Sequence, residues 1–358
     1  MSEPTDDFPP VLRELLTAHG PSGNETTPAA VWRAAAEAFG ADVETDLLGT
    51  PRARLEGAGA DPRRLVVMGH IDEIGLIVTH IDDEGYLWFS GVGGWDAQVL
   101  VGQRVSLATR DGALPGVIGR KPIHLLRDED RKKVAELRDL HIDIGARDGE
   151  QAAELARVGD VAVIAADPLE LPNGRIAARA LDNRLGSFVA LEAARLVAQA
   201  GGAQWELVAV AAVQEETTFG GSRTSAFALE PHAAIVVDGT HATDAPGIEV
   251  KQTGKHELGS GPVLSRGSTL HPWLFELLHE TAEREGIPFT VEAAGRATGT
   301  DADAVHLSRG GVPTALVSIP MRYMHSPVEL VALSDVHACA RLIAAAARTL
   351  DAQTSFAR

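Results

Sequence analysis

Residues 207–221 read LVAVAAVQEETTFGG, and the change of texture inside that stretch limits what the chain can fold into. A run of small and β-branched apolar residues of this length suits a strand buried on both faces, as in the parallel sheet of an α/β protein. The strand then delivers two adjacent carboxylates, Glu215 and Glu216. Burying an isolated carboxylate is costly unless it is paired, protonated or bound to a metal ion. In an open α/β sheet, however, the carboxyl ends of strands are where ligand sites are built. The rest of the chain must supply partners for those two charges.

The later segments agree with such a sheet. RLGSFVALEAARLVAQA has the spacing of an amphipathic helix, WELVAVAAV and AAIVVD read as strands, and HPWLFELLHETAERE reads as a helix. PTALVSI is a further strand, and VHACARLIAAAARTL closes the chain as a helix. Alternation of this kind predicts an α/β fold, a mostly parallel central sheet with helices on both faces. Near the N-terminus, ETTPAAVWRAAAEAF (25–39) reads as a helix with Thr26 or Thr27 as N-cap and Pro28 in its first turn. RLVVMGHIDEIGLIV (64–78) is strand material with an interruption near Gly69. After it the texture changes: GYLWFS and GQRVSLATRDGALPGVIG are short, alternating and punctuated by glycine, which is all-β character. RDEDRKKVAELRDL (127–140) is a charge run expected on a solvated loop or helix face. The expected organisation is an α/β domain in two segments, 1–73 and 173–358, interrupted by a small β-rich inserted domain over 74–172.

Composition excludes several classes of function. A formal charge of −18 is the opposite of a nucleic-acid footprint. The single cysteine, Cys339, rules out a disulfide framework or a thiolate metal cluster, and its helical context makes it a packed small hydrophobe. The start, MSEPTDDFPP, has neither the basic nor the apolar region of a secretory signal. No apolar run reaches the roughly 18 residues of a membrane span. The expectation is a cytoplasmic protein with no membrane partner.

Five places could meet at the carboxyl edge of the sheet. They are MGHIDEIG with His70 and Asp72, ARALDNRLG with Asp182, the Glu215–Glu216 pair, IVVDGT with Asp238, and IPMRYMHSPVE with His325. Each has an ordinary reading: a hydrogen-bonded structural histidine, a helix cap at Asp182, a turn residue at Asp238, a solvated acidic pair. Together they favour another. Imidazole nitrogens and carboxylate oxygens bind Zn²⁺ and related ions, and two histidines with three carboxylates match a two-metal site with one bridging carboxylate. Such a site needs one more acid, free of metal, to accept a proton from water. One glutamate of the pair then serves the metals and the other the chemistry.

With GPSGNE (20–25), GHIDEIG, GVIGRKPIHLL (116–126), LDNRLG, VQEE, GTDAD (299–303) and IPMRYMHSPVE, the chain resembles, almost end to end, the tetrahedral aminopeptidase family. This is the glutamyl- and deblocking-aminopeptidase group of co-catalytic zinc metallopeptidases. The resemblance implies two divalent ions per chain, zinc foremost, with cobalt or manganese also fitting. Asp182 would bridge them, Glu216 and His325 would complete one site, and His70 and Asp238 the other. Glu215 would be the general base, and Asp72 would orient His70. Short peptides would be the substrate, hydrolysed at their N-termini. The insertion would serve dimerisation, with dimers assembling into a dodecameric homo-oligomer. Where the family pattern resembles EEVGLRGA this chain has EETTFGGS, so Thr218 replaces a glycine and Gly220 an arginine. Gly220 and Gly221 are expected to restore the lost backbone freedom.

Three other readings compete. A two-metal amidase or deacylase would differ in substrate, but such relatives usually carry their extra domain after the Glu–Glu motif. A glycosidase would need two carboxylates across a sugar and no metal. A non-catalytic peptide-binding assembly protein would have no use for an intact Glu215. GVGGW (91–95) is followed by no Lys-Ser/Thr and so is not a phosphate loop.

Overall fold

The computed structural model describes residues 7–59 and 63–356, so the first six residues of the acidic N-terminal stretch lie outside it. The first strands are β1 (Asp42–Thr45), β2 (Pro51–Leu55) and β3 (Arg64–His70). The glycine-punctuated stretch contributes β4 (Gly75–Ile81), β5 (Leu87–Val92), β6 (Arg104–Thr109), β7 (Gly112–Gly119), β8 (His141–Asp143) and β9 (Val161–Ile164). There follow β10 (Leu169–Leu171), β11 (Arg175–Ala178), β12 (Glu206–Ala212) and β13 (Ala233–His241). The last four are β14 (Val263–Gly267), β15 (Thr290–Ala294), β16 (Thr314–Met321) and β17 (Glu329–Ala332).

Eight of these form the central sheet, in the order β1-β2-β12-β3-β13-β16-β14-β15. Its middle, β12-β3-β13-β16, is parallel throughout, while β2 and β14 join it antiparallel. Every residue of β12 is buried: Leu207–Ala212 as an unbroken apolar run, and Glu206 at its start paired with Arg54 and Arg64. Alternate residues feed two cores. Leu65, Val67, Leu207 and Ile235 pack with helices Pro10–Thr17, Thr26–Ala38, Leu181–Gln199, Pro272–Glu285 and Leu333–Ala347. Val66, Met68, Val208 and Val236 face helices Gly220–Leu229 and Ala302–Val305. Cys339 is fully buried in the larger core. The β-rich stretch closes into a six-stranded barrel, β4-β5-β8-β7-β6-β9, around its own core of Leu76, Leu87, Leu107 and Ile142.

Several local expectations need correction. The strand over 64–78 breaks at Ile71–Ile74, not at Gly69. Gly69 stays inside β3 because a Cβ there would lie 2.3 Å from the Gly186 carbonyl carbon, so the glycine permits close approach of the helix that crosses it. The N-cap of helix Thr26–Ala38 is Glu25 rather than Thr26 or Thr27. Its side chain is engaged elsewhere, accepting from the backbone N–H groups of Gly23 (2.6 Å) and Gln214 (3.0 Å). β13 does not end at Asp238 but runs on to His241. The charge run 127–140 is the mostly exposed loop expected, with two short 3₁₀ turns, Asp130–Lys132 and Leu137–Asp139, within it.

Candidate metal centre

The parallel middle of the sheet brings the candidate residues to one edge. His70 ends β3 and pairs with Ala212 at the end of β12. Two residues beyond the Val236–Met68 pair, Asp238 comes level with His70. After β12 the chain turns through left-handed Gln214 (φ 59°) into the short helix Glu215–Thr218, so the two glutamates lie beyond the sheet, on its carboxyl edge. Asp182 follows left-handed Ala180 (φ 60°) at the head of helix Leu181–Gln199. His325 sits in the loop after β16, again left-handed (φ 58°). Positive φ at residues other than glycine is costly and concentrates at functional sites.

The side chains converge in three overlapping groups: His70–Asp182–Asp238, His70–Glu215–Glu216 and Asp182–Glu216–His325. His70 Nε2 lies 3.4 Å from Asp182 Oδ1 and 3.6 Å from Glu215 Oε2. His325 Nε2 lies 3.5 Å from Asp182 Oδ2 and 3.5 Å from Glu216 Oε1. These spacings exceed the roughly 2.7–3.2 Å of a good N–H···O hydrogen bond. Two donors each about 2.1 Å from one tetrahedral ion stand about 3.4 Å apart. Asp182 turns one oxygen to each histidine, the arrangement a bridging carboxylate needs.

Charge makes the same point. Burial, then Asp238, Asp301 and Glu216, push the Glu215 carboxyl up to about 10 against the pull of His70. Burial and Asp182 push Glu216 up to about 7. Asp238, again through burial first, is raised well above its ordinary value. The Asp182 carboxylate facing its Nε2 raises His325 to about 9. Burial opposes ionisation of Asp182, but His325 and His70 outweigh it and hold the group well below the usual carboxylate range. The metal-free cluster therefore retains protons that divalent ions would displace.

This retention predicts a pH effect. Groups with raised folded-state values stabilise the fold below their unfolded values and lose that contribution as pH rises through the folded ones. The metal-free protein should accordingly melt progressively lower between pH 6 and pH 9, the window spanned by Glu216, His325 and the lower flank of Glu215. Asp182 has the opposite sign, but its contribution is lost only in acid. Added Zn²⁺ should flatten the slope; a melting temperature independent of pH in the chelated protein would contradict this reading.

Supporting residues explain the local sequence. Asp72 accepts from Glu215 N–H (3.0 Å) and Glu216 N–H (3.2 Å), and its Oδ1 stands 3.5 Å from His70 Nδ1. It thus fixes the glutamate turn as well as facing the histidine. Asn183 donates to Val237 O (2.8 Å) and accepts from Gly186 N–H (2.8 Å), tying the Asp182 segment to the strand that carries Asp238.

Two further acids at the centre carry no role that sequence alone assigns. Glu329 is 2% exposed and accepts from the backbone N–H groups of Asp182 (3.0 Å) and His325 (2.9 Å), clamping both. Its signal was the closing letter of HSPVE. Asp301, in GTDAD, is 1% exposed, and neither of its oxygens has a hydrogen-bond partner by distance and angle. The Ser222 hydroxyl beside it is committed to Phe219 O (3.0 Å). Asp303 by contrast folds its own loop, accepting from Thr298 N–H (2.9 Å) and Gly299 N–H (2.7 Å).

The loop that departs from the family pattern also differs from expectation. Gly220 and Gly221 do not supply left-handed backbone; Phe219 does, at φ 55°. Gly221 is instead a close-approach residue, since a Cβ there would lie 2.4 Å from Val213 N. Thr217 ties the loop to GPSGNE through a 3.0 Å hydroxyl contact with Ser22.

A family profile described as M42 glutamyl aminopeptidase matches residues 49–342. The lysyl aminopeptidase of Pyrococcus furiosus is 37% identical over 299 residues, covering 82% of this chain and 83% of the relative. The crystal structure of a TET aminopeptidase from a marine-sediment thaumarchaeon superposes with a TM-score of 0.90 at 35% identity, covering 96% of each chain. The Pyrococcus horikoshii TET1 peptidase, described as assembling into a tetrahedron or a large octahedral shell, is 33% identical with a TM-score of 0.82, covering 95% of this chain and 99% of that one.

Proposed function

The chain belongs to the M42 glutamyl aminopeptidase family, and from that premise we propose how its residues carry out peptide hydrolysis. It is an aminopeptidase, a hydrolase acting at peptide N-termini. The observation that supports a two-metal reading is the set of 3.4–3.5 Å spacings that join His70 to Asp182 and His325 to both Asp182 and Glu216, longer than good hydrogen bonds and suited to shared ions. His70, Asp182 and Asp238 would hold one divalent ion, and Asp182, Glu216 and His325 the other. Ions bound there, zinc foremost with cobalt or manganese as alternatives, supply a water acidified toward neutrality and positive charge for the developing oxyanion.

The remaining work falls to the protein. Glu215 takes the proton of the attacking water and returns it to the departing amine. Asp72 holds Glu215 in place through its backbone N–H, and Glu329 does the same for Asp182 and His325. The carboxylate-rich pocket suits a free α-ammonium and so short peptides with unblocked N-termini. The barrel is the inserted domain of the proposed division at 74 and 172. Its long loop carries Ile123, Leu125 and Val134 at 60%, 64% and 62% exposure, apolar surface that subunit assembly would cover. A homo-oligomer, a dodecamer built from dimers, is the assembly proposed. Among the described residues no helix is long and apolar enough to cross a membrane.

Metal titration tests the site. The stripped protein should bind two Zn²⁺ per chain, and Asp182→Asn should weaken both ions together. Two full-affinity ions in Asp182→Asn would refute the bridging role.

A further inference from the structure

The glycine loop GVGGW reaches from the barrel into the metal centre. Its first two residues close β5, and Trp95 anchors the far end, donating its indole N–H to Gly75 O (2.8 Å) while packing on the barrel core. Between these fixed ends Gly94 O stands 2.9 Å from His325 Nδ1. A carbonyl can only accept, so Nδ1 keeps a proton, and Nε2 is the nitrogen that an ion between Asp182 and Glu216 would take in place of its own proton. Gly93 is left-handed (φ +75°), and a Cβ there would lie 2.6 Å from Ile74 Cγ2 and 3.1 Å from Glu216 Oε2. The loop thus touches both ligands that belong to one proposed ion and that Asp182 does not share with the other.

We infer that the Gly93–Gly94 segment is a positioning wall of the Asp182–Glu216–His325 site, fixing the His325 tautomer with a carbonyl and leaving Glu216 its place by lacking a side chain. The inference rests on the two-metal reading above. It makes the barrel part of the site: the affinity of that one ion depends on how the barrel loop is seated, while the His70–Asp182–Asp238 ion takes its ligands from the sheet and the head of helix Leu181–Gln199. Backbone partners of metal-binding histidines typically matter about 10–100-fold in affinity.

The experiment is a calorimetric titration of Zn²⁺ into the metal-stripped protein, comparing Gly93→Ala with Gly102→Ala. Gly102 is also left-handed (φ +80°) and in the barrel segment, but an added Cβ there meets nothing within 4 Å. It reproduces the backbone strain without the intrusion. The expected result is two ions for the unsubstituted protein and for Gly102→Ala. In Gly93→Ala one ion should bind about tenfold or more weaker and the other unchanged. Should Gly93→Ala fail to fold, Trp95→Phe carries the test: it keeps both glycines, frees the anchor, and should weaken the same single ion. Equal affinities in the folded variant, or equal losses in Gly93→Ala and Gly102→Ala, would overturn the inference. Absence of any Zn²⁺ binding by the unsubstituted protein would bring down the two-metal reading and this inference with it.

Discussion

Glu215→Gln should fold like the parent protein, take up its ions with nearly unchanged affinity, and turn over peptide about 10²–10⁴-fold more slowly. Glutamine keeps the shape and one acceptor oxygen of the side chain but cannot receive a proton. The loss should appear in kcat with KM little changed, because Glu215 is assigned to the water rather than to the peptide. In the metal-free cluster burial first, and then the neighbouring acids, raise Glu215 to about 10; two cations beside it would draw that value back toward the working range of a base. Glu216→Gln makes the contrast, since the same chemical change one residue later should cost metal affinity first and activity as a consequence. Steady-state kinetics at saturating Zn²⁺, with ion content measured on the same samples, separates the two. A Glu215→Gln enzyme within a few fold of the parent would remove Glu215 from the chemistry.

The largest effect on stability is expected at Glu73, the acid of HIDEIG that the metal centre does not use. It is 2% exposed and paired with Arg179 and with Arg184, the latter at 2.8 Å and fully buried. Its Oε1 also accepts from Gly20 N–H (3.0 Å). Arg184 in turn donates to Leu15 O (2.6 Å), Ala18 O and Ile71 O (3.2 Å), and Arg179 reaches Thr17 O (3.2 Å). One carboxylate therefore neutralises two guanidinium groups that staple the end of helix Pro10–Thr17 to the residue between His70 and Asp72. Breaking a buried pair by deleting one partner costs about 3–5 kcal/mol, because the remaining charge stays buried and uncompensated. Glu73→Gln should lower the melting temperature by on the order of 10 °C. The surface pair Arg13–Glu170 supplies the control, with side chains 44% and 60% exposed. Glu170→Gln should cost no more than about 1 kcal/mol. Thermal melts of the two variants under one buffer decide it, and equal shifts would show that the Glu73 cluster is not the stabilising device described.

What could be read in the sequence, and what could not, follows from the range of the interactions. β12 announced itself because burial on both faces leaves an unbroken apolar run, and the helix Leu181–Gln199 because its apolar spacing is local. His70, Asp182, Asp238 and His325 could be singled out because each follows or interrupts such a run. The closure of the barrel could not, since the pairing of β4 with β9 joins residues some eighty positions apart and leaves only short alternating segments behind. Gly69 misled for a related reason: a glycine in a strand reads as a break, whereas here it answers Gly186 more than a hundred residues later. In the sequence Glu25 marks only the start of a helix, because its backbone partner at Gln214 is equally remote. Glu329 and Asp301 show the same limit inside the centre. An acid that clamps two backbone N–H groups and an acid with no hydrogen-bond partner look alike as letters, and only burial and geometry separate them.

The metal-dependent aminopeptidase activity is tested most directly by release of amino acids from a mixed peptide pool by chelator-stripped protein, with Zn²⁺ or Co²⁺ restored and the same peptides supplied with acetylated N-termini. Metal-restored release of N-terminal residues is expected from the free peptides and none from the acetylated ones. Undiminished release by the chelated protein, or equal release from free and acetylated peptides, would contradict it.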